Sequence, residues 1–187
     1  CGIISLRFDM RGCGDSEGEP SINNINPDIE DLFNAINFFF STYKTQKTFL
    51  FGISKGALVC ISTLMKYDLP ISGAILLSTP FGGSKMAARK FNNCLKEYLY
   101  KLTNFENIKK LLSGKANIKQ ISKTLIYAIT SHRRYHHQNN GFVTKCSLNF
   151  IYGAKDPITK DSSKHYRTIC EKNDISYTIQ EILNANH

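Results

Sequence analysis

Three residues in this sequence have the types and order needed to act together on an acyl group. Ser54 lies in Gly52-Ile53-Ser54-Lys55-Gly56, between the apolar run Phe49-Leu50-Phe51 and the continuation Ala57-Leu58-Val59-Cys60. A Gly-x-Ser-x-Gly turn between a strand and a helix reads as a nucleophile elbow, with the serine in a strained backbone position and its hydroxyl in open space. Both flanking glycines are expected to be needed, because a Cβ would clash where strand and helix approach. Asp156 lies in the loop after a later apolar run, and His187 follows the last one. A serine hydroxyl is a weak nucleophile until a base takes its proton. Histidine can take that proton and return it to a leaving group. A carboxylate sets the imidazole tautomer and stabilises the imidazolium. Asp161 and Glu181 are rival acids, but the first reads as a helix cap and the second lies within a strand. Among the histidines, His187 alone follows a strand. His165 sits on a helix. His132, His136 and His137 share a basic stretch with Arg133 and Arg134, which reads as a cationic loop because it has no carboxylate or second ligand pair.

The elements that must position these residues alternate. Residues 2–8 are apolar and read as a buried strand, followed by a glycine- and acid-rich loop at 9–20. Residues 26–43 read as a helix, with Asn26 as cap, Pro27 at the first helical position, and Asp28, Glu30 and Asp31 at its positive end. Strands are expected at 49–51, 71–78, 147–152 and 176–182. Helices are expected at 55–67 and 161–172, the latter capped by Asp161 or Ser162. The strands are apolar on both faces, which predicts an α/β fold with a mostly parallel sheet and helices on both faces. Carboxyl ends in such a sheet point one way, so Ser54, Asp156 and His187 can converge there. Between residues 84 and 140 the rhythm is helical only, with runs at 85–101, 105–112 and 118–130. The chain therefore divides into a first core part (1–83), a helical cap insertion (84–140) and a second core part (141–187).

Length and composition fit one soluble domain: 187 residues, 42% hydrophobic and 21% charged. No apolar run approaches the roughly 20 residues of a membrane helix. Cys1, Cys13, Cys60, Cys94, Cys146 and Cys170 form no C-x-x-C pair. They read as reduced thiols of a cytoplasmic protein, not a disulfide framework or a zinc site. The net charge of +9 is concentrated at 85–145, which holds 13 Lys/Arg against Glu97 and Glu106. Such a face can favour an anionic small-molecule substrate or acidic partner, or be a solvated lysine-rich surface. No nucleic acid partner is expected.

The order serine, acid, histidine resembles that of the α/β-hydrolases, on Gly52-Ile53-Ser54-Lys55-Gly56, Tyr152-Gly153-Ala154-Lys155-Asp156-Pro157 and Asn184-Ala185-Asn186-His187. Residues 7–18, RFDMRGCGDSEG, look like the D-x-R-G-x-G-x-S-x-G loop of the superfamily's serine aminopeptidase-like and esterase members. Lys110-Leu111-Leu112-Ser113-Gly114-Lys115 resembles the cap of hydrolases associated with exosortase systems. The matches span nearly the whole chain. The resemblance implies hydrolysis of an ester, thioester or amide through an acyl-serine intermediate, without a cofactor. Ser54 would attack, His187 would act as base and then acid, Asp156 would orient His187, and the Lys55 backbone N–H would stabilise the oxyanion. Serine at the elbow disfavours the epoxide hydrolase and dehalogenase branches. The family's first strands, its His-Gly type loop with a second oxyanion donor, and its last helix have no counterpart here. The chain is therefore expected to be a fragment, and weakly active by itself, since one such donor is worth roughly 100–1,000-fold in rate. Acyl transfer with the same triad, or a non-catalytic relative binding an anionic partner through the basic cap, are the alternatives.

Overall fold

In a computed structural model the described residues are 2–19, 25–81, 141–156, 159 and 161–187. The expected cap insertion at 84–140, with His132, His136, His137 and most of the basic stretch, lies outside them. Four strands form one sheet: β1 (Phe49–Ile53), β2 (Gly73–Leu77), β3 (Ser147–Gly153) and β4 (Tyr177–Ile182). They pair in sequence order and every pair is parallel. Helices α1 (Asn26–Thr42), α2 (Lys55–Lys66) and α3 (Ser162–Lys172) complete the described elements.

Register puts Leu50, Ala74, Leu148 and Tyr177 in one row across the sheet, and Gly52, Leu76, Phe150 and Ile179 in the next. This face carries the core, with Ala74, Leu76, Leu148 and Phe150 fully buried. Burial of a leucine or phenylalanine contributes about 1.5–3 kcal/mol. Helix α2 covers the β1 end, where Ala57 lies over Gly52. Helix α3 covers the other end, with Tyr166 stacked on Phe150 at 5.1 Å between ring centroids. The Tyr166 hydroxyl donates to the Pro80 carbonyl at 2.9 Å. Helix α1 packs outside α2 through Ile29, Leu32 and Ile36, and Phe33 stacks on Tyr67 at 4.0 Å. Helix α2 buries Ala57–Ile61, Thr63 and Leu64, leaves Ser62 partly exposed, and satisfies the buried Thr63 hydroxyl by donation to the Val59 carbonyl at 2.8 Å. The opposite sheet face is apolar over β1 and β2, where Phe49, Phe51, Ile53 and Ile75 are exposed, and polar at Asn149, Thr178 and Gln180 of β3 and β4.

Two expectations about the first residues need correction. Residues 2–8 form no strand; Ile3 is 86% exposed and Ile4, Leu6 and Phe8 are exposed as well. Apolar, β-rich composition is a local property, whereas a strand exists only where another backbone edge takes its N–H and C=O groups. No described strand pairs with these residues. Asn26 is not the cap of α1 either. Ile25 occupies that position without a side-chain cap bond, and Pro27 still falls within the first helical positions, where its missing N–H costs nothing. At α3, by contrast, Asp161 does occupy the expected cap position, though without a side-chain cap bond, and the Ser162 hydroxyl accepts from the Phe81 N–H at 3.0 Å, tying the end of the β2 segment to α3.

The described cysteines are free, with Cys60 and Cys170 buried. Burial pushes both thiols up to about 12. No helix among the described residues is long and apolar enough to cross a membrane.

Candidate active site

The parallel pairing sends the carboxyl ends of β1, β3 and β4 to one edge of the sheet. Ser54 follows β1 directly and opens α2. Its backbone is at φ 51°, ψ −116°, a region that L-residues enter at a cost of order 1–3 kcal/mol. That conformation is held from both sides. The Ser54 N–H donates to the Leu77 carbonyl at 2.8 Å, and its carbonyl accepts the first helical bond from Leu58 N–H at 3.1 Å.

The two glycines around Ser54 differ. A Cβ on Gly52 would stand 2.6 Å from backbone atoms of Ala57, so only glycine lets α2 descend onto β1. A Cβ on Gly56 would meet nothing within 4 Å. The expectation that both are needed sterically therefore fails at Gly56, which sits in the first turn of α2 facing open space. Gly56→Ala should raise stability by about 0.5–1 kcal/mol through helix propensity. Urea denaturation of the variant against the parent would measure it, and a loss of stability would contradict the open geometry.

Ser54, His187 and Asp156 are brought together. The Ser54 Oγ is 3.0 Å from His187 Nε2, and His187 Nδ1 is 2.9 Å from Asp156 Oδ2. Burial is graded along the row: Asp156 is fully buried, the His187 side chain is 31% exposed, and Ser54 is half-buried. A carboxylate can only accept, so the Nδ1 facing Asp156 carries the proton and Nε2 is left to accept from the serine hydroxyl. The rival acids stand elsewhere: Asp161 precedes α3, and Glu181 is an exposed residue of β4. Among the described residues no cluster of three His, Cys, Asp or Glu is placed to hold a metal.

The loops carrying the acid and the base are laced to each other. Ala154 N–H donates to the Ile182 carbonyl at 3.0 Å and Lys155 N–H to the Ala185 carbonyl at 2.9 Å. Asn184 turns the chain at φ 63°, where asparagine is several-fold enriched. The returning backbone then crosses Gly153 so closely that a Cβ there would lie 2.6 Å from the Ala185 carbonyl oxygen and 2.7 Å from that of Asn186.

Sequence reading did not single out Thr159. Fully buried, it donates its N–H to Asp156 Oδ1 at 3.1 Å and its hydroxyl to Asp156 Oδ2. The signal was available, since Asp-x-x-Thr after a strand is an Asx-type turn in which the carboxylate caps the backbone three residues on. Thr159→Val keeps the shape and the N–H but removes the hydroxyl donor. It should lower kcat about tenfold, the equivalent of one charge-assisted hydrogen bond partly lost, with Thr159→Ser near the parent. Equal kcat for the valine variant and the parent would show that the hydroxyl does not support the carboxylate's role.

Loop 9–18 stands beside α1. Arg11 donates Nε to both carboxylate oxygens of Asp31 at 3.0 Å, Nη2 to Oδ1 at 2.6 Å, and its backbone N–H to Oδ2 at 3.0 Å. These bonds from Arg11 hold the Asp31 carboxyl below the usual carboxylate range. At the elbow, Lys55 Nζ is 2.7 Å from Asp28 Oδ2, and Asp28 is 1% exposed.

Residues 1–178 match the family described as serine aminopeptidase, S33. No curated protein matches the chain. Among similar solved structures, an esterase of Pyrococcus furiosus is 20% identical, with a TM-score of 0.64 over 94% of this chain and 60% of that one. A lipase-esterase related protein of Clostridium acetobutylicum is 18% identical, with a TM-score of 0.59 over 93% of this chain and 72% of that one. A protein of Bacillus cereus is 12% identical, with a TM-score of 0.51 over 88% of this chain and 38% of that one. The chain thus spans 38% of the Bacillus cereus protein and 60% of the Pyrococcus esterase, less than two thirds of each. At such identities the likeness is one of fold.

Proposed function

The chain belongs to the serine aminopeptidase S33 family, an α/β-hydrolase family, and on that premise we propose that it hydrolyses an ester, thioester or amide through an acyl-serine intermediate. The observation that carries this reading is the continuous row from Ser54 Oγ through His187 to buried Asp156, at 3.0 and 2.9 Å.

In this reading the Ser54 hydroxyl attacks the acyl carbon while its proton passes to His187 Nε2. The imidazolium is stabilised by Asp156, whose carboxylate is already ordered by Thr159. Negative charge on the former carbonyl oxygen is met by the Lys55 backbone N–H at the start of α2, where the helix dipole also favours an anion. Collapse breaks the bond to the leaving group, which takes the proton from His187. Water then attacks the acyl-serine, giving its proton to the same nitrogen, and the acid is released with Ser54 regenerated. The buried acid and half-exposed histidine suit these roles. The carboxylate is shielded from competing water, while the imidazole still reaches a substrate.

A fluorophosphonate probe tests the reading without knowledge of the natural substrate. The probe should phosphonylate the complete folded protein, with fluoride as leaving group, and the added mass should sit on the peptide containing Ser54. Folded protein that stays unlabelled at millimolar probe, or labelling at another serine, would remove Ser54 as the nucleophile.

A further inference from the structure

Asp28 lies in the first turn of α1, and Asp31 follows it three residues on, about one helical turn further along the same face. Asp31 binds Arg11 of loop 9–18 at 2.6–3.0 Å. Asp28 binds Lys55, the residue directly after Ser54, at 2.7 Å. Asp28 is 1% exposed, whereas the Lys55 side chain keeps 27% exposure. A buried carboxylate is costly, and apolar residues of similar volume usually serve a core as well or better. Stability alone therefore explains Asp28 poorly. Its place explains it better. Lys55 begins α2 and follows a serine in a strained conformation, so its backbone direction must be held against relaxation of the turn. A side chain clamped into α1 ties Lys55 to a second element, in addition to the backbone bonds that hold Ser54.

We propose that Asp28 is a positioning residue, which acts through the Lys55 side chain to hold the backbone at Ser54 and Lys55 in the geometry for attack and oxyanion binding. The inference rests on the hydrolase reading above. Asp28 itself touches no reacting atom in this scheme. Displacement of an oxyanion donor by a few tenths of an ångström weakens transition-state binding much more than substrate binding, so the effect belongs in kcat.

The test uses the complete protein, hydrolysis of p-nitrophenyl acetate, and the fluorophosphonate labelling rate. Asp28→Asn and Lys55→Met are each expected to lower kcat about 10–100-fold with KM changed less than about threefold. Lys55→Arg, which keeps a cation at reach, should recover most of the rate. The double variant D28L/K55M separates positioning from support, because an apolar pair removes the buried charge and keeps the volume. It is expected to unfold near the parent's midpoint and to remain slow. A double variant with parental kcat overturns the proposal. So does a double variant that fails to fold, since the pair would then be structural support. A parent protein that neither hydrolyses the ester nor labels at Ser54 overturns the hydrolase reading instead, and this inference with it.

Discussion

Ser54→Ala is expected to lower kcat for acyl ester hydrolysis by about 10⁴-fold or more, because removing the proposed nucleophile leaves only binding and oxyanion stabilisation. The variant should fold. Alanine occupies the same φ of 51° with the same Cβ, so backbone strain is unchanged, and the lost hydroxyl is half-exposed. Ser54→Gly removes the strain as well, and should be more stable than Ser54→Ala by about 1 kcal/mol while equally inactive. Thermal unfolding and steady-state hydrolysis, measured on the same samples, read both effects. The two variants share one chemical defect and differ in stability, which separates loss of a nucleophile from loss of fold. Residual hydrolysis within tenfold of the parent in either variant would mean that Ser54 does not carry the reaction.

The second large effect is expected at a residue that does no chemistry. Gly153→Ala places a methyl group 2.6–2.8 Å from the backbone of Ala185 and Asn186. Backbone atoms cannot rotate away as a flexible side chain can, so the 183–187 turn must move. His187 is the next residue, and its two ring nitrogens are set to within hydrogen-bond range of Ser54 and Asp156. A displacement approaching 1 Å there is expected to cost about 100-fold in kcat/KM. Overpacking of this kind costs about 1–3 kcal/mol in stability, too little to unfold a typical domain. The expected result is folded protein with slow turnover, and slow fluorophosphonate labelling as well, since the probe also needs the serine's base. Labelling at the parental rate in a folded Gly153→Ala protein would mean that the turn tolerates the methyl group, or that His187 does not assist Ser54.

Much of this arrangement is legible in the sequence. Apolar periodicity marks β1 to β4 and the three described helices to within one or two residues, because each element's pattern is set by its own repeat. Pro27 and the acidic first turn place the start of α1. The Gly-x-Ser-x-Gly pattern identifies a strand-to-helix turn, and Gly52 has the local reason assigned to it. Serine, acid and histidine at the ends of the first, third and fourth of these strands follow from counting elements, and the parallel rule then sends those ends to one edge.

What composition and spacing alone could not decide is non-local. Residues 2–8 are as apolar as a buried strand, yet pairing depends on a partner edge elsewhere in the chain. Gly56 looks equivalent to Gly52 in the pattern, and only the approach of α2 to β1 separates them. Gly153 reads as one more loop glycine until the backbone of residues 185 and 186 is found crossing it. Asp28 reads as a helix-dipole residue, and its contact with Lys55 spans 27 positions. Short-range propensity chooses elements and the types of residue at their ends. The distances that make a row of hydrogen bonds out of three distant residues arise only when the sheet register and the closing turns are packed together, because such bonds need donor and acceptor within about 3.2 Å and close to linear.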